Sequence, residues 1–87
     1  MTDQTTLSPD QARAAIRDAI RKIIPDADFD SLAEDASFQS ALELDSLDFL
    51  SFVEQLSAAT GIRIDESDYP DLASMATSVA FLTRSNQ

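Results

Sequence analysis

The sequence predicts a small all-α domain: a four-helix bundle, made of three main helices plus one short third helix, with a long ordered loop between the first two main helices. Three observations predict it. Apolar residues recur at helical spacing in three stretches, and no stretch sustains the alternation of a strand. The 87 residues leave room for one core only. A single domain is expected over residues 1–87, with 1–7 disordered and 84–87 frayed.

The first helix begins at Pro9. Ser8 is a good N-cap, Pro9 suits the first helical position, and Gln11 completes a capping box. Ile16, Ile20, Ile23 and Ile24 follow helical spacing, while Arg13, Arg17 and Arg21 line another side. That basic stripe reads as a solvated face before it reads as an anion site. Pro25 is expected to end the helix, because it pushes the residue before it out of the α region.

Residues 25–45 form a long connection. Phe29, Leu32, Phe38 and Leu42 make it too apolar for a free linker. It is expected to be an ordered loop with one short helical turn, pinned to the core by those side chains. A loop of this length in a compact domain tends to be functional.

The next helix should run from about Ser46 to Thr60, with Asp45 as N-cap and Asp48 at the third helical position. Leu47, Leu50, Val53 and Leu56 are placed on one face, and Phe49 and Phe52 widen the stripe. Gly61, the only glycine, falls where a left-handed residue ends a helix. Ile62 to Ile64 is a short connector. Asp65 to Asp71 holds one helical turn, interrupted at Pro70. Ser74 caps the last helix, whose apolar positions are Met75, Val79, Phe81 and Leu82. The expected core is Ile20, Leu50, Val53, Leu56, Ile62, Ile64, Val79 and Phe81.

Composition excludes several functions. There is no cysteine and no histidine. Disulfides, cysteine-based metal sites and imidazole catalysis are therefore unavailable, and an enzyme is a poor reading. Residues 1–24 hold three acids against four bases, and residues 25–87 hold thirteen acids against two. The net charge of −10 repels nucleic acid and anionic membranes and attracts basic surfaces. No apolar run is long enough to span a bilayer, and residues 1–8 lack the features of a signal peptide. The expected location is the cytoplasm. Asp26, Asp28 and Asp30 occupy the first positions of a possible calcium loop. Ser31 and Ser37 stand where such a loop needs glycine and a bidentate glutamate, so no metal site is assigned.

The informative segment runs from Ala36-Ser37-Phe38 through Leu42 to Asp45-Ser46-Leu47-Asp48. It resembles the core motif of the acyl carrier protein family, without a gap. The resemblance extends to Gly61-Ile62-Arg63-Ile64-Asp65 and to Ser74-Met75 with Val79, Phe81 and Leu82, covering roughly residues 9–83. It implies 4′-phosphopantetheine, taken from coenzyme A by a phosphopantetheinyl transferase and linked covalently to Ser46. The arm's thiol would carry acyl groups as thioesters to acyl-transferring or acyl-activating enzymes through transient contacts, with the carrier acting as a monomer. In such a protein Asp45, Leu47, Asp48, Phe49 and Glu54 would meet partners. Leu50, Val53, Leu56, Ile62, Ile64, Val79 and Phe81 would line a core able to part around an acyl chain.

The sequence also departs from that pattern. Glu43 stands where glycine is frequent, a change of loop flexibility more than of chemistry. Asp65 replaces a frequent proline, and Tyr69-Pro70 puts a bulky side chain and a helix breaker where a short regular helix is usual. Ser51, Ser57 and Ala58 occupy places often held by glutamate, which points to a specialised carrier in fatty-acid, polyketide or other acyl metabolism. A peptidyl or D-alanyl carrier, or an unmodified helical interaction module, remains the alternative. Asp45 and the strong acidity favour the acyl type.

Overall fold

The computed structural model describes residues 7–85. It is all-helical over them. Helix α1 spans Pro9–Arg21, α2 spans Phe38–Ala41, α3 spans Ser46–Thr60, a 3-10 segment spans Glu66–Leu72, and α4 spans Met75–Ser85. The expected bundle is present, with a single helical turn inside the long loop. The terminal expectations fall mostly outside the described residues. Within them, Leu7 packs on the core, and Arg84 lies in α4 with an ion pair to Asp71 at 3.0 Å.

Local chemistry explains the helix ends. The Gln11 N–H donates to Ser8 Oγ at 3.1 Å, and the Ser8 N–H donates to Gln11 Oε1 at 2.9 Å. This is the expected capping box, and it satisfies two donors that a helix start otherwise leaves without partners. Helix α1 stops at Arg21, short of Pro25. The Ile23 and Ile24 N–H groups both turn back to the Ile20 carbonyl. Gly61 closes α3 at φ 72°, a left-handed conformation that a side chain would strain. Ser74 caps α4 by accepting from the Thr77 N–H at 3.3 Å.

Helix α1 is the central element, with both α3 and α4 packed against it. Ala12, Ile16, Ala19 and Ile20 of α1 are buried, facing a core that includes Phe38, Phe52, Leu56, Leu72 and Leu82. Small alanines let the helices approach closely around the two isoleucines.

The loop is stitched down at several points. The Phe38 N–H donates to the Ala73 carbonyl at 2.7 Å, and the Ala76 N–H donates to the Glu34 carbonyl at 2.9 Å. Arg13 reaches Glu34 at 2.7 Å, and the Arg21 guanidinium lies 5.0 Å from the centre of the Phe29 ring. Two arginines of the basic stripe thus contact the loop from the solvent side of α1. Asp28 accepts from Ser31 Oγ at 2.9 Å and from the Asp30 N–H at 3.0 Å. These bonds, the Ser31 hydroxyl first, hold its carboxyl below the usual carboxylate range. Its role is to fold a turn.

Helix α3 requires two corrections. Leu50 was expected in the core, yet it is 40% exposed. Phe49 was expected at the surface, yet it is only 8% exposed. Helical geometry gives the reason. At 3.6 residues per turn, each step of three residues falls about 60° short of a full turn, so Leu47 and Leu56 end on opposite sides of the helix. Phe49, Phe52, Val53 and Leu56 instead keep to one side, and all four are buried. Ile62 and Phe81 are buried as expected. Ile64 and Val79 are half-buried and pack against the same core.

Candidate functional site

Four residues join α2 to α3. The Leu42 N–H donates to the Phe38 carbonyl at 2.9 Å, and the Leu44 N–H reaches back to the Gln39 carbonyl at 3.0 Å. Between them, Glu43 adopts φ 57°. This is the left-handed turn that commonly closes a helix, with glutamate at the position glycine usually fills. The turn buries Leu44 and brings Asp45 to the start of α3.

Asp45 and Asp48 cap α3 reciprocally. The Asp48 N–H donates to Asp45 Oδ1 at 2.8 Å, and the Asp45 N–H to Asp48 Oδ2 at 3.5 Å. The Phe49 N–H donates to the Asp45 carbonyl at 2.9 Å. Ser46 is the first residue of the helix and is exposed. The N–H groups of Ser46 and Leu47 lie in the first turn, where no preceding helical carbonyl can accept them. Ser46 thus presents a hydroxyl to solvent from a backbone fixed on both sides, by the turn before it and the box around it.

The surroundings of Ser46 combine charge with apolar surface. Leu47 is 74% exposed, and Leu50 lies one turn further along on the same side. Glu43, Asp45 and Glu54 are exposed, and Asp48 is half-buried. Of the partner-contact residues expected from the sequence, Asp45, Leu47, Asp48 and Glu54 therefore do flank Ser46 or follow it along the outside of α3. Leu50 joins this outer face, and Phe49 leaves it. Sequence reasoning missed what Glu43 does. Its only signal was glutamate in the place of a frequent glycine.

A serine hydroxyl held at an exposed helix start can accept a bulky group without disturbing the core. A phosphate there would meet the donors and dipole of the first turn. It would also meet the carboxylates of Asp45 and Asp48, which favour an arm projecting away from the domain. The residues present fit a tethered prosthetic group whose contribution, when bound, is a terminal thiol that the cysteine-free chain lacks.

The family model for the phosphopantetheine attachment site matches residues 14–79, the stretch from the first helix to the middle of the last. A comparison with curated proteins returns no match. Among the described residues, no helix is long and apolar enough to cross a membrane. The chain belongs to the phosphopantetheine attachment family: it is a carrier domain, and the members of that family bind 4′-phosphopantetheine covalently through a serine.

Proposed function

We propose that Ser46 is the attachment serine and that the domain carries acyl groups as thioesters between partner enzymes. The observation that carries this reading is the placement of Ser46: exposed, first in α3, and braced by the Asp45–Asp48 box. A phosphopantetheinyl transferase supplies the arm from coenzyme A.

Partners meet a surface that is apolar at Leu47 and Leu50 and acidic at Asp45, Asp48 and Glu54. Basic partner patches are drawn to it electrostatically, and the contact stays small enough for the carrier to leave. With Ser51 and Ala58 also exposed on α3, the helix carries less charge than a general fatty-acid carrier would need. We assign the domain to a specialised acyl pathway on that ground. Fragment mapping after transfer from coenzyme A should place the added group on Ser46. Malonyl loading by a fatty-acid-pathway transferase should be slow. Loading as fast as that of a housekeeping carrier would overturn the specialised assignment.

A further inference from the structure

Four aromatic rings run in an unbroken series across one side of the bundle. Phe38 of α2 meets Phe52 of α3 edge-on, with ring centres 5.6 Å apart at 77°. Phe52 lies 6.0 Å from Phe49 at 53°. Phe49 then meets Tyr69 of the 3-10 segment edge-on, at 5.6 Å and 78°. Edge-to-face pairs at these distances are favourable beyond the area they bury. Phe38 and Phe52 are fully buried, Phe49 nearly so, and Tyr69 is half-exposed at the outer end. The series therefore ends at the surface, where α3 faces the 3-10 segment.

The segment that carries Tyr69 is held in place. At its start the Asp65 N–H donates to Asp68 Oδ2 at 3.0 Å. Pro70 fixes the backbone immediately after Tyr69. Asp71 pairs with Arg84 of α4 at 3.0 Å, and Leu72 is fully buried. Parting Tyr69 from Phe49 would break that ring contact in a segment anchored at its far end by the fully buried Leu72. Phe38, Phe52, Leu56, Leu72 and Leu82 fill the interior that these rings border.

A flexible acyl chain tethered near α3 enters the bundle only if apolar side chains part to admit it. We propose that, in place of the parting core the sequence led us to expect, the Phe49–Tyr69 contact closes the interior to the cargo, so that this carrier displays its acyl group at the surface. This inference rests on Ser46 being the attachment point. Phe49 and Tyr69 are then specificity-determining residues, which favour cargo that partners collect from outside the domain.

The test is a series of arms. Acetyl, hexanoyl and dodecanoyl pantetheine arms are transferred from the corresponding coenzyme A thioesters, and intact mass confirms each loading. Hydroxylamine then cleaves each thioester, with rates taken relative to the same thioester on free pantetheine. For the native protein the three relative rates should agree within about twofold, because no methylene leaves water. In Tyr69→Ala, and in the milder Tyr69→Leu, dodecanoyl release should slow on the order of tenfold as several methylenes become buried. Slowed dodecanoyl release in the native protein would overturn the closure while leaving the attachment intact. Folded Tyr69 variants that release all three chains alike would overturn it too. Absence of any mass gain would overturn the attachment at Ser46, and the closure with it.

Discussion

Glu43 holds a backbone conformation that its side chain disfavours. The left-handed region costs an L-residue roughly 1–2 kcal/mol, while glycine enters it freely at some cost in unfolded-chain entropy. Replacing Glu43 by glycine should therefore stabilise the domain by about 0.5–1 kcal/mol, measured by chemical denaturation. Loss of stability would mean that the glutamate side chain makes a contact worth more than the strain. The helix start at Ser46 was legible in the sequence because capping is local, whereas its role as attachment serine rests on the motif's resemblance to the carrier family. Asp45 and Asp48 sit three residues apart, and an N-cap with a third-position acid announces a helix start wherever it occurs. The conformation of Glu43 was not legible, because it follows from where the one-turn helix α2 ends. The exchange of Phe49 and Leu50 has a simpler origin. Adjacent apolar residues point about 100° apart on a helix, and following steps of three from Leu47 placed Leu50 inward where the Phe49–Phe52–Val53–Leu56 arc is the buried one.

Within α4, Ser78 is fully buried, and its hydroxyl has no hydrogen-bond partner among the described residues. A buried hydroxyl without a partner costs about 1–3 kcal/mol of desolvation. Ser78→Ala should therefore raise stability, by about 1 kcal/mol after the small loss of packing. A lower unfolding midpoint would contradict this and reveal a hidden partner. The Arg13–Glu34 pair joins α1 to the loop across 21 residues of sequence. The hydrogen bond from Arg13 holds the Glu34 carboxyl below its usual range. Because the folded-state pKa is lowered, the stabilisation is complete above the unfolded-state pKa and fades as pH falls through the folded one. Glu34→Gln should then cost about 0.5 kcal/mol at neutral pH, and less in acid, in melts across the pH range. An equal cost at every pH would assign the effect to packing. The helices themselves were legible from their spacing and caps. The loop's anchors were not, since a pairing between Arg13 and Glu34 leaves no local pattern.

The whole molecule carries ten more negative than positive charges, and its three described ion pairs are all exposed. Such pairs are worth at most about 1 kcal/mol each, so salt loses little by screening them. Self-repulsion among thirteen acids in residues 25–87 acts over the whole surface and is the larger effect. Melting temperature should rise as salt approaches about 1 M, where charges more than roughly 3 Å apart are screened. A fall would place the balance with the ion pairs. The same acidity, concentrated beyond α1, leaves the outside of α3 suited to basic partners. Whether this surface serves an arm on Ser46 is decided by intact mass. The native protein and Ser46→Ala are incubated side by side with coenzyme A and a broad-specificity phosphopantetheinyl transferase. The native protein should gain the mass of one phosphopantetheine, and Ser46→Ala should gain none. An unmodified native protein, or an equal gain in Ser46→Ala, would contradict an arm on Ser46.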